Sequence, residues 1–261
     1  MHPILLKLGG FTIYTYGFLI ATGIMIALFV ARKEAKRTGE DPDKIIDLCF
    51  YLVISGVVGS RLFYIATTPE MFIDDFLEVF RIWNGGLVFY GAFIGAFVTG
   101  IVYVKKNKLP LWKTADIVAP GVAIGHVFGR LGCFFAGCCY GQVCDLPWAV
   151  SFTDPDTLAR PIGVPLHPTQ LYASGSNLVI FIILLLIRRR MKFHGQLFWI
   201  YVMLYGIVRS INEMFRADFR GEFFFQIFSI SQVIGWSMAL LALVMLIIFS
   251  RRAMASSGKN V

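Results

Sequence analysis

The chain has 261 residues, 57% of them hydrophobic and only 15% charged, where an ordinary soluble domain carries roughly 25% charged residues. This balance, with a mean hydropathy of +0.70, excludes a disordered chain, a collagen-like fibre and an ordinary cytosolic enzyme, and points to a protein whose solvent is mostly lipid. The net charge of +8 suggests nucleic acid only until the charges are placed along the chain.

Gaps between charges give the spans in chain order. Residues 8–31 contain no Asp, Glu, Lys or Arg. The gap exceeds the ~20 residues that cross a hydrocarbon core. It has no basic stretch before it and a basic one after it, so it reads as a retained helix and not a signal peptide. Residues 48–66 are apolar except for Arg61, 82–104 are uncharged, and 117–135 are interrupted only by Arg130. Residues 161–187 are uncharged, 193–212 are interrupted by Arg209, and 223–250 are uncharged. The expectation is an all-α integral membrane bundle of about seven transmembrane helices. It forms a single membrane-embedded domain over 1–261, with a small periplasmic insertion at 136–166. That insertion is rich in Pro and Asp and predicts a short strand over 148–152.

Lys and Arg orient the bundle. Sixteen of the 24 basic residues fall at 32–44, 105–113, 188–192 and 251–259, all on alternate connections. Five fall on the opposite connections. The N-terminus is therefore expected outside and the C-terminus in the cytoplasm. Topology accounts for the positive charge, and no nucleic-acid partner is needed.

An Arg inside a span costs at least ~2.5 kcal/mol on insertion scales, so each one needs a reason. By direction of travel, Arg61, Arg130 and Arg209 all approach the outer leaflet. Snorkelling, or pairing with an acid such as Glu213, is the bland account. The competing account is an anion site for a phospholipid phosphate, which guanidinium groups bind in a bidentate way. Tyr16, Tyr90, His167, Gln170 and Tyr172 fall at the same depth, where tyrosines also serve as aromatic-belt anchors. Tyr205, Arg209 and Glu213 follow at four-residue spacing on one helical face. Gly121, Gly125, Gly129 and Gly132 suit close helix packing. His2, His126 and His194 read as structural.

Cys133, Cys138, Cys139 and Cys144 cluster within twelve residues, apart from Cys49. A disulfide from Cys138 or Cys139 to Cys144, a structural metal site, reactive thiols and buried free thiols all stay open. The spacing is not a standard zinc pattern, and no metal is expected from it. No G-x-S-x-G, H-E-x-x-H or P-loop occurs.

The run Gly129-Arg130-Leu131-Gly132-Cys133-Phe134-Phe135-Ala136-Gly137, continuing to Gly141, resembles the signature of prolipoprotein diacylglyceryl transferases. So do Tyr16-Gly17, the stretch holding Gly59, Arg61 and Tyr64, Trp83-Asn84-Gly85-Gly86, and His167-Pro168-Thr169-Gln170-Leu171-Tyr172. Tyr205-Gly206 through Arg209, Glu213 and Arg216 completes the set, in order across nearly the whole chain. The resemblance implies a bacterial inner-membrane enzyme with its active site toward the periplasmic leaflet. It would move the diacylglyceryl group of phosphatidylglycerol to the lipobox cysteine of a preprolipoprotein, the first step of lipoprotein maturation, releasing glycerol 1-phosphate without a cofactor. Implied catalytic residues are Arg130, Arg209, Tyr16, Tyr90 and His167. Implied substrate-binding residues are Arg61, Asn84, Gly129, Gln170, Tyr205 and Glu213. The chain departs from the family pattern where Cys133 and Ala136 replace usual Asn residues. Cys138 and Ala173 replace usual Glu residues, and Tyr90 replaces a usual His. An anionic-lipid transporter and a membrane thiol oxidoreductase are the alternatives from other classes.

Overall fold

The structure is a computed structural model that describes residues 2–9, 11–72, 75–81, 85–217 and 229–257. It begins with an antiparallel hairpin of β1 (Ile4–Leu8) and β2 (Phe11–Tyr14), with Lys7 opposite Thr12. Seven α-helices follow among the described residues. They are α1 (Thr15–Thr38), α2 (Pro42–Thr67), α3 (Phe89–Lys106), α4 (Leu111–Ala136), α5 (Thr169–Ile187), α6 (Gln196–Glu213) and α7 (Ile230–Ser257). Between α4 and α5, β3 (Val150–Ser151) pairs antiparallel with β4 (Pro165–Leu166).

Five of these helices, α1, α2, α4, α5 and α7, are long and apolar enough to cross a membrane. The other two have 18 residues each; α3 ends in Lys105 and Lys106, and α6 in Arg209 and Glu213. Large apolar side chains stand exposed along the helices, Met25 (67%) and Leu186 (71%) among them. Such surfaces suit a lipid solvent. The helix expected over 8–31 starts only at Thr15. Gly9 takes the left-handed conformation (φ +58°) and turns the chain back, so the preceding residues pair as a hairpin.

The chain divides into two compact units, residues 1–30 with 115–261, and residues 31–114. In the second unit, Asp41 caps α2 by accepting from the Asp43 and Lys44 amides at 2.9 and 3.4 Å. Helices α2 and α3 approach until their backbones touch. A Cβ added to Gly95 would lie 2.5 Å from the Ser55 carbonyl oxygen, and Gly59 and Gly91 face each other's backbone the same way. In the first unit, Ala119, Ala123, Ile180, Leu184, Leu197 and Tyr201 form a buried core among α4, α5 and α6. Asp116 in α4 caps α6: its Oδ2 accepts from the Gly195 amide at 2.6 Å and its Oδ1 from the Phe198 amide at 3.0 Å. The segment between α4 and α5 has a small core of Phe152, Ala159 and Leu166. The strand expected over 148–152 is there as the shorter β3.

Candidate active site

Functional side chains of the first unit sit at the ends of its helices. Tyr16 is the second residue of α1, and its ring lies against Gly132 of α4, where an added Cβ would come within 3.0 Å of it. Its hydroxyl is close enough to Arg130, Cys133, Cys138 and Cys139 to feel their charge. One helical turn before Arg130, His126 stacks on Tyr205 with centroids 5.1 Å apart. The His126 Nδ1 is hydrogen-bonded to the Tyr201 hydroxyl at 2.9 Å. With Asp116 at the start of α6 and His126 further along it, α4 and α6 run in the same direction. Arg130 and Arg209, each one turn beyond the His126–Tyr205 stack, therefore reach the same end of that pair.

The two arginines differ in how their charge is held. Arg209 Nη1 donates to Glu213 Oε2 one turn later. The same carboxylate oxygen is 3.8 Å from Arg216 Nε, and the Ser229 hydroxyl donates to Glu213 Oε1 at 3.4 Å. Glu213 is 7% exposed, so this is a buried pair. Arg130 is half-buried, and no hydrogen bond or ion pair engages its guanidinium among the described residues. Among the described residues, no atom outside the surrounding turns of α4 lies within 4 Å of the position a Cβ would take on the adjacent Gly129.

The start of α5 carries a second set. Trp148 Nε1 donates to the Tyr172 hydroxyl at 2.8 Å, and that hydroxyl is 3.1 Å from His167 Nδ1. The Tyr172 hydroxyl thus links the Trp148 indole to the His167 ring. Gln170 is 1% exposed; its Nε2 donates to the Cys138 carbonyl at 2.8 Å, while its Oε1 is buried with no partner. Thr169 Oγ1 donates to the Cys139 carbonyl at 2.7 Å.

None of the five cysteines is in a disulfide. Three of them gather: the Sγ atoms of Cys133, Cys138 and Cys139 all lie within 4.8 Å of one another. Cys144 is buried elsewhere, its amide donating to the Pro165 carbonyl at 3.2 Å. The Cys138 thiol donates to the Cys133 carbonyl at 3.7 Å, and the neighbouring Cys133 and Cys138 side chains, with the Arg216 guanidinium, hold the Cys139 thiol well below the usual range. The same grouping pushes Cys138 up, through Cys133 first, then Cys139 and burial. Spacing alone did not single out these three. The signal lay in Gly137, which permits the turn after α4, and in the two adjacent cysteines beyond it.

In the second unit, Arg61 is 6% exposed and turns its guanidinium to loop carbonyls. Its Nε donates to Val79 O at 3.1 Å, its Nη1 to Gly85 O at 2.7 Å, and its Nη2 to Glu78 O. Phe72 and Tyr64 rings flank it at 5.4 and 5.6 Å. Tyr90, at the start of α3, is 54% exposed. Asn84 lies outside the described residues.

Comparisons with known proteins give the family. A family model described as prolipoprotein diacylglyceryl transferase matches residues 3–248. The chain belongs to the prolipoprotein diacylglyceryl transferase family. It is 38% identical over 222 residues to the phosphatidylglycerol–prolipoprotein diacylglyceryl transferase of Clostridium tetani, covering 85% of this chain and 88% of that one. It is 34% identical over 257 residues to the protein of the same name from Geobacter sulfurreducens, covering 97% and 96%. A Clostridium perfringens protein whose name adds the number 2 is 36% identical over 222 residues, covering 85% and 86%. Membership of the diacylglyceryl transferase family makes the chain a transferase of lipoprotein biosynthesis. With its apolar helices, it is a multi-pass membrane protein.

Proposed function

We propose that this chain transfers the diacylglyceryl group of phosphatidylglycerol to the lipobox cysteine thiol of a preprolipoprotein. The products are a thioether-linked lipid and glycerol 1-phosphate. It works in a bacterial inner membrane, N-terminus outside and C-terminus cytoplasmic, as one catalytic domain with the 136–166 insertion on the periplasmic side. The observation that carries this reading is the Arg130 guanidinium. A half-buried cation in a membrane helix, with no hydrogen-bond or ion-pair partner among the described residues, is costly unless an anion joins it. A phosphodiester supplies that anion through two parallel N–H···O bonds. The open space at Gly129 is room for the headgroup.

The chemistry is a displacement at carbon. The thiolate sulfur bonds to the glycerol carbon that bears the phosphate ester, and the carbon–oxygen bond breaks with its electron pair on the phosphate. The leaving group gains a negative charge. Arg130 and Arg209 face that developing charge, and Glu213 fixes the direction of Arg209. His167 is a further hydrogen-bonding group for a phosphate oxygen. The thiol proton leaves through the hydroxyl of Tyr16, beside Arg130, which passes its own proton on to the departing phosphate, and Tyr90 is the competing relay. Gln170 and Tyr205 shape the site from α5 and α6. Arg61 acts by holding the carbonyls of Glu78, Val79 and Gly85, and Asn84 is assigned to substrate binding.

The test is an assay with purified protein, phosphatidylglycerol in mixed micelles and a lipobox peptide, with the thioether product read by mass spectrometry. Arg130→Ala and Arg209→Ala are expected to lose activity. Tyr16→Phe and Tyr90→Phe divide the two proton relays, with the greater loss expected at Tyr16. A wild-type rate in Arg130→Ala removes the basis of the reading.

A further inference from the structure

We infer that Cys133, Cys138 and Cys139 form a three-thiolate site for a divalent thiophilic cation of the zinc class, with one coordination position left open. The site does not depend on the transferase reading. A zinc–sulfur bond of about 2.3 Å at tetrahedral angles sets sulfurs about 3.8 Å apart. The three Sγ atoms already lie within 4.8 Å of one another, so small side-chain rotations close the set.

The backbone brings the ligands together from one short segment. Cys133 is in the last turn of α4. The Gly137 amide donates to the Phe134 carbonyl at 3.2 Å and the Cys138 amide to the Cys133 carbonyl at 3.1 Å, which folds the chain back over the helix end. Cys139 adopts φ +64°, a conformation uncommon for a residue with a side chain and found where surrounding structure enforces it. The enforcing contacts are present: Gln170 and Thr169 hold the Cys138 and Cys139 carbonyls. The Gly141 amide donates to the His167 carbonyl at 2.9 Å. Contacts of this kind orient ligands before a metal arrives.

Donor chemistry and charge favour a soft divalent ion. The cluster is sulfur alone, which suits zinc, cadmium or copper(I) and not magnesium or calcium. Three thiolates with a divalent ion carry one net negative charge. Arg216, beside Cys139, flanks the cluster and offsets that charge. Three protein ligands leave the fourth position for water or another donor.

The test titrates cadmium into the reduced, purified full-length protein under inert gas and follows the ultraviolet thiolate-to-cadmium charge-transfer band. One cadmium per chain is expected, displaced by zinc. Cys133→Ser, Cys138→Ser and Cys139→Ser should each weaken binding by more than about tenfold, the range in which even outer contacts register. Cys49→Ser and Cys144→Ser should leave it unchanged. In parallel, zinc should protect the three thiols of the wild-type protein together from alkylation, counted by peptide mass spectrometry. Absence of the band, a band indifferent to the three serine variants, or no protection by saturating zinc overturns the inference. None of these readouts involves transferase activity, so the two readings fail separately.

Discussion

Replacing Glu213 by glutamine keeps the size of the side chain and deletes its charge. The carboxylate is 7% exposed, is hydrogen-bonded to Arg209, and lies 3.8 Å from Arg216. Two unit charges near 4 Å attract by roughly 4 kcal/mol at an effective permittivity of about 20. Desolvation offsets much of this in the intact cluster, but removing one member strands the others. Breaking such a buried pair costs about 3–5 kcal/mol, whereas an exposed pair costs about 0–1 kcal/mol. Glu213→Gln is therefore expected to destabilise the protein by about 3–5 kcal/mol, read by tryptophan fluorescence during unfolding in mixed micelles. Arg209→Gln combined with Glu213→Gln should cost less than the sum of the single changes, with a coupling of about 1–3 kcal/mol. A loss below about 1 kcal/mol in Glu213→Gln, or strict additivity in the double variant, refutes a buried charge cluster at this place.

Gly137→Ala should destabilise the turn after α4 and scatter the three thiols. At φ +77° a Cβ is strained, and it would collide with the Thr157 hydroxyl; about 2–4 kcal/mol is expected from the two effects together, visible as a lowered unfolding midpoint. Asp116→Ala should cost about 1–2 kcal/mol by freeing the Gly195 and Phe198 amides at the start of α6, measurable in the same unfolding assay. In metal-free protein, Cys139 should alkylate at a pH below that of an ordinary thiol. Its thiolate is favoured by the Cys133 and Cys138 side chains and by Arg216, so its reactivity should persist as pH falls while that of Cys138 is lost first. Peptide mass spectrometry after iodoacetamide at a series of pH values checks the order, and a Cys139 profile above that of Cys138 contradicts it.

Much of the plan was legible because lipid imposes a simple rule: charges mark where spans stop. The gaps around Arg61, Arg130 and Arg209 located the ends of α2, α4 and α6 to within one residue, and their starts to within six. The hairpin before α1 was hidden, because an apolar strand pair and an apolar helix look alike when every residue is uncharged; only Gly9-Gly10 hinted at the turn. The Arg209–Glu213 pair could be read from four-residue spacing, since local periodicity determines it. The different placements of Arg61 and Arg130 could not. One gives its donors to carbonyls 17 to 25 residues away in sequence, and the other has no described partner, and both are tertiary facts. The thiol cluster escaped for a related reason. Its geometry needs a left-handed Cys139 held by α5, which no spacing rule contains.

Phosphatidylglycerol binding by the purified protein, wild type against Arg130→Gln, bears most directly on the claim that this guanidinium holds the lipid phosphate. Losing charge-assisted hydrogen bonds worth about 1.5–3 kcal/mol predicts a Kd about 10- to 150-fold weaker in the variant, with folding unchanged. Equal affinity in the two proteins would contradict the account.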